Sequence, residues 1–203
     1  MCQFFSAIYT RTGDLLWHWC SDHHSDLMRI FRLKDEREKH FVRVEFTPPK
    51  NLETVADVET WKFRLDEERT PGWFTDEARG EAIKKLKGVI ASHIITDSRD
   101  VLTDGPWVLA GDAKINTVLS ARIALMAGSS NVGEMWGSSN VGEMWGSSNV
   151  GAMLESSNVG VMRGSSNVGV MRGSSNVGAM LESSNVGVMR GSSNVGDPSM
   201  CIS

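Results

Sequence analysis

Ser-Ser-Asn-Val-Gly recurs eight times in this chain, starting at Ser129, Ser138, Ser147, Ser156, Ser165, Ser174, Ser183 and Ser192, and the spacing is nine residues throughout. The four residues between copies are Glu-Met-Trp-Gly, Ala-Met-Leu-Glu or Val-Met-Arg-Gly. A helix cannot carry this period. Nine residues make about two and a half turns, so successive copies would present opposite faces, and Gly, Ser and Asn form helices poorly. A flexible Gly/Ser linker is the other simple option. Against it stands a ladder that a linker has no use for: every complete copy keeps a Val and a Met three apart, from Val132 and Met135 to Val186 and Met189. One nine-residue unit has no face of its own to bury and must stack on its neighbours. The repeat therefore predicts a short parallel β-solenoid with Val and Met inside. Gly and Asn are expected at its corners, where positive φ is often required.

Two coil sizes fit the period. Two copies per coil make an 18-residue, two-sided roll that sets Arg172 beside Arg190. Three copies make a 27-residue triangular coil that stacks Glu155 on Glu182, an unfavourable pair unless exposed. The 27-residue spacing of Ala152 and Ala179 hints at the larger coil. The array is expected to start before the first perfect copy, because Ile123 and Met126 lie nine residues ahead of Val132 and Met135. Ile115 and Val118 have the same three-residue separation and read as one more degenerate copy. The segment 197–203, with Pro198, breaks the pattern and reads as a cap over the last edge. The expected organisation is thus an α+β globular domain over 1–113, a β-solenoid over 114–196 and a C-terminal cap or tail.

The nonapeptide length and glycine content resemble those of calcium-binding β-roll repeats. The resemblance ends there, because no Asp stands in the turns to supply the carboxylate cage that calcium needs. Pentapeptide solenoids that imitate DNA have a period of five and strongly acidic surfaces, whereas this chain has a formal net charge of only −4. Flat Ser or Thr ladders suggest ice or glycan binding, but ranks of Arg and Trp interrupt such a face here. The resemblance is therefore to nonapeptide-repeat β-solenoids as a class.

The first 113 residues read as an ordinary α+β domain. Phe4 to Thr10 and Leu15 to Cys20 are expected strands around a turn at Arg11-Thr12-Gly13-Asp14. Asp22 or Ser25 is the expected cap of a short helix bearing Leu27, Ile30 and Phe31. His40 to Thr47 alternates as a half-buried strand does and stops at Pro48-Pro49, and Trp61 to Leu65 reads as another strand. Thr75 caps a longer helix with Ile83, Leu86, Ile90 and Ile94 on its buried stripe. Trp107 to Ala110 reads as the strand leading into the solenoid.

Composition narrows the function classes. The mild charge offers no polyanion-binding field, so a nucleic-acid partner is not expected. Cys2, Cys20 and Cys201 are too few and scattered for a disulfide framework. The opening residues lack the basic-then-apolar pattern of a signal peptide, and no apolar run reaches spanning length. A cytoplasmic protein without membrane contact is the expectation.

Chemistry-bearing residues cluster only at His18, Cys20, Asp22, His23 and His24. The candidate zinc ligands are His18, Cys20, His23 and His24. Because His18 and Cys20 share a strand face while His23 and His24 open a helix, the expectation is no metal and no cofactor. Cys20 with His23 or His40 is a candidate nucleophile pair, though a structural thiol is the preferred reading. Asp66-Glu67-Glu68 offers carboxylates to a cation but reads better as a solvated turn. No Walker loop, Gly-x-Gly-x-x-Gly, Gly-x-Ser-x-Gly or His-Glu-x-x-His motif is present. Trp136 and Trp145 occupy one repeat position, filled elsewhere by Leu or by Arg163, Arg172 and Arg190. These five are the candidate contact residues. The two tryptophans, expected in one rank near the junction with the N-terminal domain, form a patch for a partner if exposed. The preferred reading packs them against that domain as an inter-domain seam. The favoured function is a non-enzymatic binding or scaffold protein that forms a homo-oligomer or engages a protein partner through solenoid faces or ends. The near-identity of the copies points to recent duplication of the kind frequent in viral and mobile genomes. The rival is an enzyme with its site in residues 1–113.

Overall fold

A computed structural model describes residues 5–18, 23–34 and 40–196 of the chain. Its residues fall into two compact units, 1–92 and 93–203.

The first unit is built on a four-stranded antiparallel sheet. Phe5–Thr10 (β1) turns through Gly13 into the short Leu15–Leu16 (β2), the hairpin that the Thr-Gly-Asp sequence predicts. Helix α1 (His24–Ile30) follows, then Phe41–Thr47 (β3) and Lys62–Leu65 (β4), giving the order β2-β1-β3-β4. The Val42, Val44 and Phe46 face of β3 is buried, as its alternation requires. The opposite face is buried too: Ile8, Leu27 and Phe41 form a core with Leu16, Met28 and Phe31. Helix α2 (Asp76–His93) starts where Thr75 Oγ1 accepts the Ala78 amide hydrogen bond, and it buries Ala82, Leu86 and Ile90. Several details depart from the sequence reading: β2 is only Leu15–Leu16, Ile30 is exposed, and Ala82 rather than Ile83 is buried on α2. The residue before α1 is His23, and its side chain makes no capping bond. Ile94 does not extend the stripe of α2, because the helix stops at His93.

The second unit is a parallel β-solenoid of about six turns, each turn contributing one strand to each of two sheets. In chain order the turns are Ile94–Ile95 (β5) with Ser98–Leu102 (β6), Trp107–Leu109 (β7) with Lys114–Leu119 (β8), and Arg122–Met126 (β9) with Asn131–Trp136 (β10). They continue with Asn140–Met144 (β11) and Asn149–Met153 (β12), Asn158–Met162 (β13) and Asn167–Met171 (β14), then Asn176–Met180 (β15) and Asn185–Met189 (β16), before Asn194–Val195 (β17). Val132 pairs with Val150 and Met135 with Met153, so the coil is the 18-residue, two-sided one. The 27-residue coil is thereby excluded, and Glu155 and Glu182 lie in different columns. The degenerate copies are part of the ladder, with Ile123 beside Val141 and Ile115 beside Val132. The parallel pairing also runs further back, to Ile94 and Ile95 beside Val108 and Leu109, where no repeat is legible.

The interior is the predicted Val and Met ladder, with the Val after each Asn and the Met three residues on fully buried from Val132 to Met171. A third buried column escaped the sequence reading. The second Ser of each copy, from Ser130 to Ser175, lies inside the corner with no exposed surface. Where the hydroxyl is bonded, it closes the turn, as Ser184 Oγ does by donating to the Leu181 carbonyl at 2.8 Å.

Glycine serves two purposes. At the corners Gly128, Gly137, Gly146, Gly164, Gly173 and Gly191 have φ between 67° and 73°. Glu155 and Glu182 occupy the equivalent corners at φ 57° and 60°. Their carboxylates offset that strain by accepting hydrogen bonds from Gly137 N (2.8 Å) and Gly164 N (2.7 Å) in the preceding coil. The glycine after each Val is needed for a different reason. A Cβ at Gly151, Gly169 or Gly187 would lie 2.6 Å from a carbonyl oxygen of the coil before.

Asn does not occupy the corners as expected. It opens each strand, and its side-chain amides hydrogen-bond from coil to coil, Asn167 Nδ2 to Asn149 Oδ1 at 2.9 Å and Asn176 Nδ2 to Asn158 Oδ1 at 3.0 Å. A strand-edge amide with both a donor and an acceptor can bond a copy above and a copy below, which is why one residue type suits a whole column.

Candidate functional site

An 18-residue coil splits the expected contact residues into two groups. Trp136 ends β10 in the six-stranded sheet, and Trp145 follows β11 in the seven-stranded one. The two tryptophans therefore stand on opposite sheets and not in one rank: nine residues is half a coil. Arg163 follows Trp145 in its column, while Arg172 and Arg190 share the column of Trp136.

The two columns are satisfied differently. The Arg163 guanidinium lies over the Trp145 ring, 5.0 Å from its centroid. Eighteen residues after Trp136 stands Leu154, and Arg172 comes only one coil later. Each tryptophan donates its indole N–H to the glutamate two residues earlier, Trp136 to Glu134 at 2.8 Å and Trp145 to Glu143 at 2.6 Å. That bond orients the ring of Trp136 but leaves it 38 % exposed.

Trp136 lines a shallow groove of about 470 Å³ on the outer face of the six-stranded sheet, with Leu154, Val170 and Arg172 among its walls and Glu134 and Glu155 at its acidic end. The face continues beyond the groove. Leu119 on β8 and Val188 on β16 are exposed by 42 % and 45 %. Residues at these positions point outward because they flank the inward Met of each coil, or Val118 in its place, on the strand. The result is an apolar strip with glutamates toward its first coils and arginines toward its last.

In the first unit, the sequence cluster around His18 to His24 is not assembled as a site among the described residues. Cys20 and Asp22 lie outside them. His18 is half-buried just after β2, His23 is exposed ahead of α1, and His40 is exposed at the start of β3. Only His24 points inward, and its neighbours come from distant segments. Its Nδ1 lies 3.1 Å from Asp66 Oδ2, and its Nε2 lies 3.1 Å from the Val44 carbonyl. Glu45, nearly fully buried, completes a group whose ligand atoms all lie within 4.8 Å of one another. Strand register puts Glu45 between Ser6 on β1 and Arg64 on β4. Sequence reasoning treated Glu45 as one more outward residue of an alternating strand; it could not see that α1 covers that face. Asp66 was seen only as part of an acidic turn.

Elsewhere in this unit Tyr9 is buried, and burial together with its hydrogen bond to Glu81 pushes the phenol up to about 12. Among the described residues, no helix is long and apolar enough to cross a membrane.

The class these features define is a parallel β-solenoid with a two-strand, 18-residue coil, preceded by a small antiparallel sheet with two helices. No protein-family model, curated protein or solved structure matches the chain.

Proposed function

We propose that this protein is a non-enzymatic scaffold that self-associates through the outer face of its six-stranded sheet. The observation that carries this reading is the strip running from Leu119 through the half-buried Leu154 and Val170 to Val188, which gathers three of the six large apolar side chains left exposed among the described residues, Leu119, Trp136 and Val188. Exposed apolar surface gathered on one flat face is the usual mark of an association site. Trp and Arg are the side chains that most often anchor such contacts.

Charge selects the partner. Glu134 sits toward one end of the strip and Arg172 and Arg190 toward the other, and among the described residues no ion pair joins them. A second copy rotated by a two-fold axis through the middle of the face sets the acidic end of each strip against the basic end of the other. The same rotation brings an arginine of one copy over Trp136 of the other. That contact reproduces between molecules what Arg163 and Trp145 make between successive coils of one chain.

Sedimentation velocity across a concentration series tests the reading. A concentration-dependent dimer is expected. Trp136→Ala should weaken it by about thirtyfold or more, the effect of losing an interface anchor worth about 2 kcal/mol. Arg190→Glu should weaken it as well, and adding Glu134→Arg to the same chain should restore it. A strict monomer at the highest attainable concentration overturns the proposal.

A further inference from the structure

We propose that His24, Glu45 and Asp66 form a binding site for a first-row divalent cation of the Zn²⁺ or Mn²⁺ type in the first unit. Three observations carry it. The ligand atoms are gathered within 4.8 Å from three separate segments: the start of α1, the middle of β3 and the residue after β4. The 3.1 Å between His24 Nδ1 and Asp66 Oδ2 suits adjacent ligands of one ion, since atoms held about 2.0–2.2 Å from a metal lie roughly 3.0–3.5 Å apart.

The second observation is the orientation of the ring. His24 Nε2 faces the Val44 carbonyl at 3.1 Å in a buried position, where it can only donate. Donation there leaves Nδ1 facing Asp66 Oδ2, and only a second ring proton or a bound cation between the two atoms suits that approach. A backbone carbonyl fixing one imidazole nitrogen so that the other can ligate is the common arrangement behind metal-bound histidines.

The third observation is Glu45. Its side chain is 3 % exposed, and its Oε2 accepts no hydrogen bond from the described residues. The Arg64 guanidinium approaches only to 3.5 Å, and that side chain is more than half in solvent. A buried carboxylate oxygen held only by this long ion pair is costly. A metal ion shared with His24 and Asp66, which each offer a ligand atom within 4.8 Å of one on Glu45, is the further partner. Asp66, the most exposed of the three ligands, leaves one side of the site open to water. The donor set of one imidazole and two carboxylates suits zinc or manganese better than calcium, which takes oxygen ligands only, or copper(I), which prefers sulfur.

The test uses full-length protein stripped with a chelator and then titrated with Zn²⁺ or Mn²⁺ by calorimetry, with thermal melting alongside. One ion per chain and a raised Tm are expected with at least one of the two metals. Glu45→Gln and Asp66→Asn should each weaken binding tenfold or more, whereas His23→Ala and Glu68→Gln should leave it unchanged. In the unmodified protein, Mn²⁺ should broaden the His24 ring resonances before those of His18, His23, His40 and His93, a readout that depends on no variant. Absence of stoichiometric uptake of either ion overturns the proposal, because a protonated His24 paired with Asp66 then accounts for the geometry. Uptake that survives Glu45→Gln combined with Asp66→Asn overturns it equally.

Discussion

Replacing Gly169 by alanine separates the two reasons for glycine in this solenoid. Gly169 lies inside β14 without a positive φ, so backbone freedom does not explain it. An added methyl would sit 2.6 Å from the Gly151 carbonyl oxygen, where ordinary contact begins at 3.4 Å. Parting the coils far enough to admit it takes the flanking bonds, Asn167 N to Ser148 O at 3.0 Å and Arg172 N to Met153 O at 2.9 Å, past useful length. Two ladder bonds at about 0.5–1.5 kcal/mol each, with some unmet donor cost, amount to about 2–4 kcal/mol. The alanine recovers about 0.4–1 kcal/mol by restricting the unfolded chain. The net expectation is a loss of about 2 kcal/mol. Urea unfolding followed by far-ultraviolet circular dichroism measures it as a lowered midpoint, with Val170→Ala on the outer face of the same strand as the control, at under about 1 kcal/mol. An unchanged or raised midpoint for Gly169→Ala would refute close backbone approach as the reason for this glycine.

Other outcomes follow from the same coils. Gly191→Glu copies the corners at Glu155 and Glu182 and should cost less than about 1 kcal/mol in the same urea assay, since a carboxylate bond offsets the 1–2 kcal/mol of left-handed strain. Met153→Ala should cost about 2–5 kcal/mol, and Met189→Ala less than half as much, because Met189 is already 45 % exposed; urea midpoints compare the two. Asn167→Ala removes amide bonds to both Asn149 and Asn185 and should cost about 1–2 kcal/mol, seen as faster amide hydrogen exchange in the neighbouring coils. Tyr9 holds its proton more tightly folded than unfolded, so its contribution is intact below about pH 10 and disappears as pH rises toward 12. Melting curves across that window should therefore fall more steeply for the unmodified chain than for Tyr9→Phe.

What the sequence settled is what repeats. A period of nine with one Val and one Met per copy leaves stacking as the only means of burial, so the solenoid, its interior ladder and its two degenerate early copies were legible from Ile115 onward. The hairpin at Gly13 and the Thr75 cap were legible for the same kind of reason, since turn and cap chemistry are local. Coil size was not. Periods of 18 and 27 contain the same local pattern, and only strand pairing separates them. From that pairing came the parting of Trp136 and Trp145 onto opposite sheets, the strip of the six-stranded sheet, and the transfer of Asn from corners to ladders. The strand at Trp107 was legible as the one leading into the solenoid, but the coil from Ile94 to Leu102 was hidden because its partners, not its own sequence, make it strands. His24, Glu45 and Asp66 are the extreme case. They are about twenty residues apart along the chain, and neither spacing nor periodicity links them. A helix that buries a histidine against a strand carbonyl twenty residues on is a product of tertiary packing alone.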